Sequence, residues 1–113
     1  MKVFHYLDVK GQLAGEGTEG VTVRWLITKE MSAKNFAMRL FEVDVGGYSP
    51  LHSHPWEHEV FILEGEGEVV GEESSKRLIA GDVIYIPSNE KHQLRNTGKS
   101  KLKFLCLIPY IKK

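Results

Sequence analysis

The chain reads as all-β, and three observations carry that reading. Runs rich in β-branched and aromatic residues recur at spacings of about 8 to 12 residues, as in sandwiches and barrels. Glycine, proline and asparagine punctuate these runs. No stretch sustains the apolar period of a long helix, which leaves sheet packing to make the core. At 113 residues the chain is one domain, spanning 1–113 and large enough to bury about two-thirds of its unfolded surface.

Each element follows from local composition. Lys2 to Val9 is a β-prone run, and Gly11, Gly15, Gly17 and Gly20 then mark a loose connection. Val21 to Thr28 is dense in β-branched and aromatic residues and reads as a strand. Lys29 to Lys34 is too short for a stable helix and is expected to turn. Asn35 to Val45 resumes the strand pattern and is expected to stop at Gly46-Gly47. Leu51 to His54 and Glu57 to Leu63 follow as short strands. Glycines alternate with like charges from Glu64 to Glu68, which predicts a turn before Val69-Val70. A polar tip at Gly71 to Lys76 leads to Arg77-Leu78-Ile79, a turn at Gly81-Asp82, and the apolar run Val83 to Ile86. His92 to Asn96 and Leu102 to Ile108 close the set.

Composition excludes several partners. Lys plus Arg and Asp plus Glu both number 15, so the basic footprint that nucleic acid or an anionic membrane requires is missing. The lone cysteine, Cys106, has no partner for an internal disulfide. Met1 to His5 lacks the apolar run of a signal peptide, and no segment approaches the roughly 20 apolar residues of a membrane span. A cytoplasmic protein is expected.

The chemistry concentrates in His52-Ser53-His54-Pro55-Trp56-Glu57-His58-Glu59. On an extended backbone alternate side chains share a face, so His52 and His54 point the same way, and a turn at Pro55 lets His58 return to it. Imidazole suits manganese, iron, nickel, copper and zinc. His5 precedes the cluster and His92 follows it. Glu64 to Gly67 is not a phosphate loop, because its glutamates would repel phosphate and no helix follows.

Laid out this way, the chain resembles the cupin superfamily. The first cupin motif is a glycine, five residues, His-x-His, three or four residues, a further ligand that is usually Glu, six residues and a glycine. Gly46, His52-Ser53-His54, His58 and Gly65 fit it with a three-residue spacer. With a four-residue spacer the ligand is Glu59, and the gap to Gly65 falls one short. The second motif is a glycine, five residues, Pro-x-Gly, two residues, a histidine, three residues and an asparagine. Gly81, Pro87-Ser88-Asn89, His92 and Asn96 fit it, with Asn89 in the place of the last glycine. Asparagine tolerates the left-handed backbone such a turn demands.

The resemblance implies a double-stranded β-helix, a small jelly-roll barrel over residues 35–111, with strands in 1–34 that contact a partner in a homodimer. It also implies one divalent metal ion per chain. Asn35 to Phe41, His52 to Glu59 and Phe104 to Pro109 are similar to small four-histidine, manganese-binding cupins. Their ligands correspond to His52, His54, His58 and His92, with Glu59 as the alternative to His58. Manganese rests on this resemblance alone, since affinity order favours copper, nickel or zinc and iron also suits imidazole.

In Leu102 to Ile108, Phe104, Cys106 and Ile108 share one face and Leu105 and Leu107 the other; the resemblance puts the first set near the metal. There Cys106 is either a small buried residue or a thiol open to oxidation. Trp56 shapes the pocket mouth or packs as an ordinary core or interface aromatic. Arg39, within an otherwise apolar strand, faces solvent or anchors a substrate carboxylate. Glu57 and Glu59 orient the histidines or face water, and His5 is a surface or interface residue. Four protein nitrogens leave two open positions on a six-coordinate metal. The expected function is a metal-dependent oxidoreductase of dioxygenase type on a small organic substrate. The alternative is a non-catalytic module that binds metal or a small ligand. A metal-dependent isomerase ranks lower, because no lysine or tyrosine obviously converges on the site.

Overall fold

The computed structural model describes residues 1–110; Ile111, the last residue of the expected barrel span, lies outside them. Nine strands form one antiparallel sheet: β1 (Gln12–Leu13), β2 (Glu19–Ile27), β3 (Phe36–Tyr48), β4 (His58–Glu64), β5 (Glu66–Val70), β6 (Ser75–Ile79), β7 (Val83–Ile86), β8 (Gln93–Asn96) and β9 (Leu102–Pro109). The hydrogen-bonded order is β6-β5-β8-β3-β9-β4-β7, with β2 along β3 and β1 along β2. The sheet curls on itself to enclose the core, giving the all-β double-stranded β-helix expected from the sequence. Among the described residues no helix is long and apolar enough to cross a membrane.

Period-two alternation decides what the barrel holds. Along β4, His58, Val60 and Ile62 are buried while Glu59, Phe61 and Leu63 are exposed. Along β9, Leu102, Phe104 and Cys106 are buried. These faces meet because β9 lies between β3 and β4, pairing Val43 with Leu102 on one edge and Val60 with Cys106 on the other. Ile62, Leu102 and Val43 are fully buried, and each such side chain contributes about 1.5–3 kcal/mol by leaving water.

Several local expectations are corrected. Lys2 to Val9 is not a strand: Tyr6–Asp8 forms a single 3-10 turn. His5 caps it, accepting a hydrogen bond from the Leu7 amide on Nδ1 (3.1 Å), while the His5 amide donates to the Asp8 carboxylate (3.1 Å). Side-chain caps of this kind offer a short segment an alternative to sheet pairing. β3 does not stop at Gly46-Gly47 but reaches Tyr48, because a bulge opposite Gly20 absorbs the glycines. The turn expected from Glu64 to Glu68 contracts to Gly65, and Glu66 to Glu68 join β5. Gly67 is needed there because a Cβ would collide with the Arg95 carbonyl of the neighbouring strand. β6 starts at Ser75 rather than Arg77, which shortens the polar tip. Leu51 to His54 is not a strand; it makes one isolated bridge, His52 to His92, between two prolines that lack an amide donor.

Candidate metal centre

The four histidines come from three places in the chain. His52 and His54 sit in the connection from β3 to β4, His58 opens β4, and His92 stands just before β8. Backbone bonds hold the two distant segments together: the His52 amide donates to the His92 carbonyl (3.1 Å) and the His92 amide to the His52 carbonyl (2.9 Å). The Asn89 amide donates to the His54 carbonyl (2.6 Å). Asn89 adopts φ 67°, the left-handed conformation expected at this position.

The rings converge on one cavity. Centroids lie 4.2 Å apart for His52 and His54, 4.8 Å for His52 and His92, and 4.8 Å for His58 and His92. His54 is 5.3 Å from His58 and 6.1 Å from His92. His58 and His92 are buried at 6% and 5% exposure. Glu59 points the other way, exposed on the outer face of β4. Among the described residues no three His, Cys, Asp or Glu side chains stand as a finished metal-ligand group. The imidazoles share a cavity, but their donor atoms are not closed on a common point.

Burial holds three of these rings toward the neutral form. Burial, reinforced by His54, His92 and Arg39, lowers His52 to about 4. Burial, with His92 and Arg39 next in weight, lowers His58 to about 3, and burial first among its causes also lowers His54. Only neutral imidazole has a lone pair to offer a cation. The Glu90 carbonyl lies 2.9 Å from His92 Nδ1. A carbonyl only accepts, so Nδ1 carries the proton, and Nε2 is the nitrogen left to face a cation. His58 Nδ1 is buried without a partner. This cluster of imidazole nitrogens is a donor set that suits a divalent first-row cation.

The cavity is about 360 Å³, toward the small end of small-molecule pockets. Arg39, Phe104 and Cys106 line it beside the four histidines. Arg39 therefore faces the cavity rather than solvent alone. Burial raises the Cys106 thiol, against the opposing pull of Arg39, whose Nη2 donates to Sγ at 3.1 Å. Trp56 stacks flat on the His54 ring, 4.4 Å between centroids, rather than forming part of the cavity lining. Ile108 borders a second, smaller hollow with Phe36, Glu57 and Glu59. It shares a strand face with Phe104, but four residues of strand span about 13 Å, enough to carry it beyond the first cavity. Glu57 accepts a hydrogen bond from the Tyr85 hydroxyl (2.8 Å). Sequence reasoning missed Trp25 and Phe41, which line the cavity with Arg39. Phe41 lies two residues from Arg39 on the same strand, so alternation could have found it. Trp25 enters through the register of β2 on β3, which local sequence does not reveal.

A curled antiparallel barrel with histidines gathered in its mouth defines a class, and the chain belongs to it: the Cupin domain model matches residues 39–108, and the protein is a member of the cupin family. An oxalate-binding protein of Thermotoga maritima is 35% identical over 96 residues, covering 81% of this chain and 78% of that protein. A 1-methylthio-D-xylulose 5-phosphate methylsulfurylase of Rhodospirillum rubrum is 35% identical over 71 residues. That match covers 63% of this chain, which spans only 46% of the methylsulfurylase. Among solved structures, the polyketide cyclase RemF from Streptomyces resistomycificus superposes with a TM-score of 0.91 at 34% identity, covering 96% of this chain and 79% of that one.

Proposed function

We propose that this chain is a metal-binding cupin in which His52, His54, His58 and His92 hold one divalent ion, manganese by the subgroup it resembles, and that it acts on a small oxygenated organic molecule in the adjoining cavity. The observation that carries this reading is four imidazoles gathered in a cavity whose other walls are largely apolar, three of them, His52, His54 and His58, held toward the neutral form by burial. Closing the donor atoms on one ion requires side-chain rotation of the kind common when a partner binds. A bound divalent ion supplies Lewis-acid polarisation and a template for the ligand's oxygens. The chain's own residues orient and enclose the ligand: Phe41 and Phe104, stacked 5.2 Å apart, exclude water.

The reaction type we favour is a metal-dependent oxidation of dioxygenase type. Apart from the imidazoles and Cys106, the one proton-transfer group in the lining is Glu16 at the exposed mouth, and no lysine or tyrosine is among the described lining residues. This speaks against an isomerase. Two similarities support other readings: that to the oxalate-binding protein favours ligand capture without turnover, and that to RemF favours cyclisation without electron transfer. Metal analysis of untagged protein, followed by oxygen uptake with phenols, alkenes and diketones, separates them. About one metal ion per chain and oxygen consumption lost in His58→Ala are expected. Metal without oxygen consumption would sink the oxidase reading, and protein that takes up no divalent ion would sink the metal reading.

A further inference from the structure

Arg39 carries a half-buried positive charge that no carboxylate of the described residues compensates. Its guanidinium lies against the Trp25 ring, 5.3 Å from the centroid, and the Phe41 ring, 4.9 Å from the centroid. Two aromatic neighbours cover the planar group and leave its edge as the place for hydrogen bonds. At that edge Nη2 meets only the Cys106 sulfur, a weak acceptor, and Nε is buried with no partner. Among the described residues no carboxylate stands within ion-pairing distance of Arg39. Arg24, one residue from Trp25, shows the contrast: it pairs with Glu42 at 3.2 Å.

Removing even part of a cation from water without a counter-charge is unfavourable. Such a group persists where a ligand completes it. Arg39 lines the same cavity as the histidines, and the apolar surface around it is aromatic.

We propose that Arg39 is the anion anchor of this cavity and that the ligand is a small aromatic carboxylic acid, its carboxylate on the guanidinium edge and its ring among Trp25, Phe41 and Phe104. The inference rests on the reading of the cavity as a ligand site and deepens it, but it does not depend on the metal. Planar guanidinium matches a carboxylate in two parallel N–H···O bonds, and charged hydrogen bonds of this kind exceed those to a neutral amide by enough to give about tenfold or more in affinity.

The test is binding of benzoate against its neutral isostere benzamide. It is done first with metal-free protein, since a carboxylate that binds an ion would mimic the effect. Both tryptophans border the site, Trp25 in the lining and Trp56 on the His54 ring, so fluorescence and calorimetry both report occupancy. Benzoate is expected to bind wild-type protein at least about tenfold tighter than benzamide. Arg39→Met should erase the preference, and Arg39→Lys should restore part of it, keeping the charge but losing the fork. Equal binding of the two probes by wild-type protein would overturn the proposal even if neither variant folds, as would an undiminished preference in folded Arg39→Met. Manganese content measured on the same samples separates the two readings. A preference for benzoate in protein that takes up no manganese leaves Arg39 as the anchor and removes the metal; manganese-replete protein without the preference does the reverse.

Discussion

Two buried polar clusters stand at different points of the same barrel, and they are finished to different degrees. Asn96 is 5% exposed, yet every polar atom of its side chain is bonded. Its amide donates to the Val43 and Ser100 carbonyls at 2.9 and 2.8 Å, and its carbonyl accepts from the Gly98 amide at 2.9 Å. Around the cavity, His58 Nδ1 and Arg39 Nε are buried with nothing to bond. Buried polar groups are almost always paired, and the exceptions ask for a reason. Asn96 ties the connection between β8 and β9 to β3 and serves stability. The cavity groups give up stability, and the proposed metal and ligand would complete them.

Substitutions should make that contrast measurable. The largest effect belongs to the closed core. Ile62→Ala, at a fully buried position, should cost about 2–5 kcal/mol in denaturant unfolding. Asn96→Leu should follow at about 2–3 kcal/mol by stranding buried backbone groups. Equal stability of Asn96→Leu and wild type would show that the two clusters do not differ in kind.

Acid should act on the cavity next. In the unfolded chain, histidines take up protons near pH 6.5. In the folded metal-free protein His52 resists to about 4 and His58 to about 3, mainly through burial. Between those limits the unfolded state binds more protons, so stability falls as pH falls. It is complete above about pH 6.5, and thermal melts of metal-free protein should drop steadily below that value. A melting temperature unchanged between neutral pH and pH 4.5 would contradict the burial of these rings.

The smallest effect sharpens the comparison from the other side. His58→Leu in metal-free protein should change stability by less than about 1 kcal/mol, because apolar replacement of an unpartnered polar group is close to neutral. The same substitution should abolish any rise in melting temperature on adding manganese, a rise set in wild type by ligand linkage. A large loss of metal-free stability in His58→Leu would place His58 in the structural class with Asn96.

Much of the arrangement was legible in the residues. The spacing of His52, His54 and His58 places all three beside the cavity, and the count from His58 to Gly65 agrees with the alternation that turns His58 inward and Glu59 outward. Asn89 could be read as a left-handed turn residue. Misreadings fell where tertiary contact overrides local preference. Glu66 to Glu68 resemble a turn but complete β5, since β8 and β6 supply partners on both edges. Lys2 to Val9 carries β-prone residues but is drawn into a capped turn at Tyr6–Asp8.

What the linear chain determined alone was periodicity: the strands, their alternating faces, and three imidazoles on a common side. Only the folded sheet decided which face looks inward, because an alternating strand has two equivalent phases until its neighbours choose one. That choice turned Arg39 and Cys106 toward the histidines and brought Trp25 across from β2. It also joined His92 to His52 through a backbone bridge over 40 residues of chain. A contact of such separation has no local signature, since its free energy comes from surfaces that exist only after the barrel has closed.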